Sequence, residues 1–149
     1  MRVIIGSDHG GYRLKETLKT MMEQRGIEVE DVGCECEESV DYPDYALPVA
    51  RRVAAGDFDR GVLVCGTGLG MSIAANKVPG VRCAVVSDTF SARMSREHNN
   101  ANVLALGERV VGPGLAEMIL STWLETDFAG GRHSRRVEKI GALEGRESL

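Results

Sequence analysis

Short apolar runs alternate with amphipathic stretches along the whole chain, and that alternation restricts the fold more than any other property of the sequence. Val3-Ile4-Ile5 is a buried-strand pattern, ended by Gly6-Ser7-Asp8-His9-Gly10-Gly11. A helix is expected over about residues 12–25, with Leu14, Leu18, Met21 and Met22 on one face and Gly26 to stop it. Strands over about 27–32, 61–65, 82–86 and 103–106 then alternate with helices over about 45–55, 71–76 and 89–98. Two further helices, about 114–124 and 132–143, close the pattern.

Continuous apolar strands separated by helices demand a parallel sheet covered on both faces. The right-handed crossover rule places helices on either side. The expectation is therefore an α/β fold: a three-layer α/β/α sandwich, Rossmann-like, around a five-stranded parallel sheet. At 149 residues the chain fits a single domain, 1–149. The positions of the fourth and fifth strands in the sheet stay open.

Composition removes several functional classes. A net charge of −4 argues against a protein that coats nucleic acid. No apolar run approaches the ~18 residues that cross a bilayer. The apolar stretch after Met1-Arg2 is too short for a signal peptide, so the expected location is cytoplasmic. Cys34 and Cys36 lack the C-x₂₋₄-C spacing of a zinc site, and Cys65 and Cys83 supply no second pair, so no metal is expected.

In open parallel sheets, ligands bind beyond the carboxyl ends of the strands. Ser7-Asp8-His9, Cys65-Gly66-Thr67-Gly68 and Ser87-Asp88 all follow strands. Gly66-Thr67-Gly68-Leu69-Gly70 joins a buried strand to a helix beginning near Met71-Ser72. Its glycines allow several backbone amides to point inward together, which suits an anion or an oxyanion. The same loop reads equally as a tight strand-to-helix turn. A dinucleotide fingerprint would need glycine where Met71 stands, and a P-loop would need a lysine that the loop lacks. A phosphatase loop would need an arginine, and residues 66–75 contain none.

Cys65, read alone, is either a small buried hydrophobe or a thiolate favoured by the adjoining helix start. An enediolate requires a base beside its carbon and donors for its oxygen, and Cys65 with the loop offers both. His9 and His98 flank strand termini on the face expected to bind a ligand. Arg132 and Arg136 share a face at the start of the last helix, as a phosphate clamp or as part of a solvated basic face with Arg135 and Lys139.

Taken together, Ser7-Asp8-His9-Gly10-Gly11, Asp41-Tyr42-Pro43-Asp44-Tyr45, Cys65-Gly66-Thr67-Gly68-Leu69-Gly70, Ala74-Ala75-Asn76-Lys77, Ser95-Arg96-Glu97-His98-Asn99, Gly107-Glu108-Arg109-Val110-Val111 and Gly130-Gly131-Arg132-His133 resemble type B ribose-5-phosphate isomerase. That family includes galactose-6-phosphate isomerase subunits and allose-6-phosphate isomerase. The resemblance implies that Cys65 carries the proton between C1 and C2. Thr67 and the backbone of Gly66, Gly68 and Gly70 would hold the sugar oxygens, with Ser72 beside them.

His98 would open the furanose ring, and Asp8 and Asn99 would bind hydroxyls or the ring oxygen. His9, Arg132 and Arg136 would hold the phosphate with Arg109 nearby, and Tyr42 would line the pocket. Leu69 stands where some members carry a glutamate base, which assigns this chain to the cysteine branch. No cofactor is implied. The resemblance also implies a homodimer or a dimer of dimers, with His98, Asn99 and Arg109 reaching the pocket of the neighbouring subunit. Six-carbon sugar phosphates are the alternative substrates. A non-catalytic phosphosugar-binding domain and a thiol redox protein using Cys34 and Cys36 are the rival functions.

Overall fold

The computed structural model describes residues 1–145. Its elements are β1 (Arg2–Ser7), a 3-10 turn (His9–Gly11), α1 (Tyr12–Gln24), β2 (Glu28–Asp31), α2 (Tyr42–Ala54), β3 (Arg60–Cys65), α3 (Leu69–Ala75), β4 (Cys83–Val85), α4 (Thr89–Glu97), β5 (Val103–Gly107), α5 (Pro113–Glu125) and α6 (Arg132–Gly141). Among them no helix is long and apolar enough to cross a membrane.

All five strands run parallel in the order β2-β1-β3-β5-β4. The third crossover thus passes over the place of β5 and leaves β4 at the edge. Alternate residues of the central strands feed two apolar layers. Val3, Ile5, Val62, Val64, Leu104 and Leu106 pack under α1, α4 and α5. Ile4, Leu63, Cys65, Val103 and Ala105 pack under α2 and α3. The chain winds outward in opposite directions from the β1/β3 pair, so the crevice for a ligand lies beyond the carboxyl ends of those two strands.

Three boundaries differ from the sequence reading for local reasons. Helix α2 starts at Tyr42, three residues earlier than expected, because Pro43 occupies its first turn, where a missing N–H costs nothing. Helix α3 starts at Leu69, since Gly68 takes the left-handed conformation (φ +78°) that turns the chain into it. Helix α6 ends at Gly141 rather than 143, with Ala142 as its cap.

The outer side of β4 is covered at Cys83 by a side chain. Asn76 Nδ2 donates to the carbonyl of Cys83 (2.9 Å), and its Oδ1 accepts from the Cys83 amide (2.8 Å). The amide of Asn76 thereby takes the place of a neighbouring peptide group.

Candidate active site

Two turns meet at the β1/β3 crevice. The Asp8 amide donates to Val64 O (3.2 Å), which ties the end of β1 to β3. A Cβ on Gly11 would lie 2.5 Å from Val64 O, so only glycine lets the 3-10 turn rest on that strand. Gly10 packs less tightly against the backbone of Gly66, where a Cβ would lie 3.2 Å from its nitrogen, bringing Asp8 and His9 beside the glycine loop. Asp8 is only 8 % exposed, and its buried Oδ1 has no hydrogen-bond partner. A desolvated acceptor left open is costly, so this carboxylate is poised to take a hydroxyl donor. His9 Nδ1 accepts from the Val40 amide (3.2 Å), which leaves the ring proton on Nε2.

Cys65 ends β3 and is 4 % exposed. Its Sγ accepts the Gly68 amide at 3.0 Å, an interaction stronger for a thiolate than for a thiol. The carbonyls of Cys65 and Gly66 accept from the amides of Glu108 (2.9 Å) and Arg109 (3.0 Å), so the end of β5 braces the turn. The Arg109 side chain lies over Gly66 of the same chain. A Cβ on Gly70 would stand 2.8 Å from the Tyr42 ring, and this close seat sets the wall of the crevice. Thr67 is exposed at the mouth, with Oγ1 accepting from the Leu69 amide (3.3 Å). Ser72 is buried and donates its hydroxyl to Leu69 O (2.8 Å).

A second group of candidate residues lies elsewhere. His98 caps the carboxyl end of α4, and Asn99 follows it into the turn before β5. The carbonyl of Asn102, at the end of that turn, pairs with the amide of Gly61, whereas Cys65 is level with Gly107. Four residues of strand, about 13 Å, separate the two levels. The sequence reading took His98 as lying on the binding face because it adjoins a strand; it adjoins the amino end, which is the opposite edge. Arg132 and Arg136 open α6 one turn apart, and among the described residues neither forms an ion pair.

His133 stacks on His98, with ring centroids 4.2 Å apart and planes 8° from parallel. Burial, the neighbouring His98, and the charges of Arg132 and Arg136 hold the His133 imidazole below its ordinary value. A cavity of about 820 Å³ opens beside Asn99, between Ile140 and Leu143 and the edge strand.

Asp8, His9, Tyr42, Cys65, Thr67, Ser72, Arg109 and the three glycines thus form one group, and His98, Asn99, Arg132 and Arg136 another. Sequence reasoning names His133 and Glu108 within motifs but gives neither a role, and it has no sign of the Val40 amide. His133 was visible beside Arg132, but its stacking partner lies far off in the chain. Glu108 accepts from the Leu14 amide across 94 positions (2.9 Å), capping α1 from a distant loop that no local capping pattern reveals.

A family model described as Ribose/Galactose Isomerase matches residues 3–140. A solved ribose-5-phosphate isomerase B of Clostridium thermocellum superposes with a TM-score of 0.98 at 59 % identity, covering 99 % of this chain and 100 % of its own. The ribose-5-phosphate isomerase B of Escherichia coli K12 is 50 % identical over 147 residues, 99 % of each chain. A D-erythrulose-4-phosphate isomerase of Pectobacterium atrosepticum is 44 % identical over 148 residues, 99 % of this chain and 97 % of its own.

Proposed function

The chain belongs to the ribose/galactose isomerase family and is a sugar-phosphate isomerase; on that premise we propose that it interconverts ribose 5-phosphate and ribulose 5-phosphate through a cis-enediolate. The observation that carries the reading is the Cys65 sulfur, bonded to the Gly68 amide within the crevice that also holds the unpartnered Asp8 carboxylate. His98 opens the furanose. The Cys65 thiolate then takes the C2 proton of the open aldose and returns it to C1, while one proton passes from O2 to O1. Gly66, Thr67, Gly68 and Gly70 steady the charge that develops on oxygen, a contribution of about 2.7–4 kcal/mol per well-placed donor. No residue–metal step is needed in this scheme.

The phosphate belongs with His9 Nε2 on one side and Arg132 and Arg136 on the other. Because the latter pair and His98 occupy the far edge of the sheet, the complete pocket requires a second copy of the chain. Exposed apolar side chains at the carboxyl edge, Leu69, Ile73, Val110 and Phe90 (71 % exposed), support such a contact. Asp8, His9 and Cys65 of one copy then face His98, Asn99, Arg132 and Arg136 of the other.

The test is Cys65→Ala assayed in D₂O. Conversion and deuterium incorporation at the transferred position are expected to vanish while ribose 5-phosphate still binds. Retention of most of the kcat would remove Cys65 from the chemistry. Comparing kcat/KM for ribose 5-phosphate, allose 6-phosphate and erythrulose 4-phosphate ranks the sugar lengths.

A further inference from the structure

Arg96 is 2 % exposed in the interior, beneath α5, with its guanidinium carbon 5.8 Å from the centre of the Trp123 ring. Among the described residues it forms no carboxylate ion pair. Burial, reinforced by Arg60 and Arg82 and opposed only by Asp127, pushes its guanidinium down to about 10. A buried cation without a counter-ion is expensive, and apolar side chains of similar volume often replace buried charges at no loss of stability. Core packing alone therefore gives no reason for an arginine here.

Its hydrogen bonds supply one. Nη1 donates to Asn100 Oδ1 (3.0 Å) and to Ala101 O (2.6 Å), within the turn that follows His98 and Asn99. Nε donates to Thr126 O (3.3 Å), where the connection from α5 toward Gly131, Arg132 and His133 begins. Asn100 has φ +47°, an unfavourable conformation for a non-glycine residue that the surrounding bonds must maintain. Arg82 Nε meets the same turn from outside, at the carbonyls of Asn99 and Asn100 (3.0 Å each). The two segments are joined again by Ala129 N to Glu97 O (3.0 Å) and by the His98–His133 stack.

We propose that Arg96 is a positioning residue of the isomerase, a buried cation that locks the His98-Asn99 turn and the approach to Arg132 and Arg136 into one rigid half-site for presentation to the neighbouring copy. This rests on the reading that His98, Asn99, Arg132 and Arg136 act on the sugar phosphate. The guanidinium touches no substrate; it fixes the spacing between the ring-opening imidazole and the phosphate clamp. Displacement of such groups by about 1 Å is enough to cost roughly 100-fold in rate.

The test compares Arg96→Met, Arg96→Lys and Asn100→Gly with wild type. Arg96→Met is expected to keep or raise the melting temperature while lowering kcat/KM at least tenfold, with kcat and KM both affected. Arg96→Lys, which retains one donor group, is expected to recover part of the loss. Asn100→Gly relieves the positive φ and removes one acceptor without touching the core. It is expected to reproduce a smaller share of the defect, and it serves as the measurement should Arg96→Met fail to fold. The imidazole NMR signals of His98 and His133 should broaden or split in each impaired variant. Wild-type kcat and KM in folded Arg96→Met, or in Asn100→Gly where the former does not fold, would overturn the proposal. His98→Asn and Arg136→Ala assayed alongside separate the two ideas: if they too retain full activity, the reading of the half-site fails instead.

Discussion

A cysteine at the end of a buried strand is ordinarily filler, and one amide sets Cys65 apart. The Gly68 N–H donates to its sulfur, and Gly68 itself stands at φ +78°, where a Cβ would also press on Val85 (2.9 Å) and the Leu106 backbone (3.0 Å). Gly68→Ala should therefore cost about 1–3 kcal/mol of stability from backbone strain and weaken turnover by withdrawing the amide. Thermal melts read with kcat check both, and an unchanged kcat would separate the amide from the chemistry. His133 makes a different prediction. Its imidazole is held below the ordinary 6.5, so the unfolded chain takes up the proton first as the medium acidifies. Wild-type stability should fall as pH drops from about 6.5 toward the lower folded value. His133→Phe, which keeps a stacked ring, should lack that loss in melts between pH 7 and 5.

At the level of elements, α1 and β2 are joined by a buried lysine. Lys15 is 1 % exposed and meets Asp31 (2.6 Å) and Glu16 (2.7 Å), while Asp31 also accepts from Lys19 (3.1 Å) and the Gly33 amide (2.9 Å). Burial pushes the Asp31 carboxyl up, but its bonds to Lys15, Gly33 and Lys19 outweigh this and leave it below its ordinary 3.8. A depressed carboxylate stabilises the fold above that ordinary value and loses its contribution as pH falls through the folded one. Asp31→Asn should thus be less stable at neutral pH by about 1–3 kcal/mol, with the gap to wild type closing below about pH 4. Denaturant titrations at pH 7 and pH 3 measure it.

The elements themselves were legible because their apolar periods are strong: Val3 to Ile5, Val62 to Val64 and the Leu14-Leu18-Met22 face each declare their partner layer. Cys65 and the glycine loop were legible for the same reason, since they sit where a parallel sheet binds ligands. The start of α2 was misread because Pro43 looks like a terminator and acts as an initiator. The order of β4 and β5 had no local signal, being decided by packing between segments distant in the chain.

For the whole molecule, the decisive fact is that Cys65 and His98 face opposite edges of one sheet. If pockets form between copies, Cys65→Ala and His98→Asn damage different halves of the same site. A mixed dimer of the two then carries one intact pocket and one doubly defective one. Each variant alone should be nearly inactive. Co-refolding equal amounts should restore about a quarter of wild-type activity, since half the dimers are mixed and each has one working site of two. No recovery on mixing would place the complete pocket within a single chain. Adjacency to a strand says nothing about which end of the sheet a residue occupies, so strand position alone puts His98 on the wrong edge, whereas the resemblance, which sends His98 into the neighbouring subunit's pocket, allows for it.

The side chain of Asn76 has a consequence for life in a crowded cell. Because its amide already occupies both hydrogen-bonding groups of Cys83, an extended segment from an unrelated polypeptide cannot pair with that residue. At Cys83 a planar group of one residue imitates a sixth strand, and the rim is blunted there by two bonds.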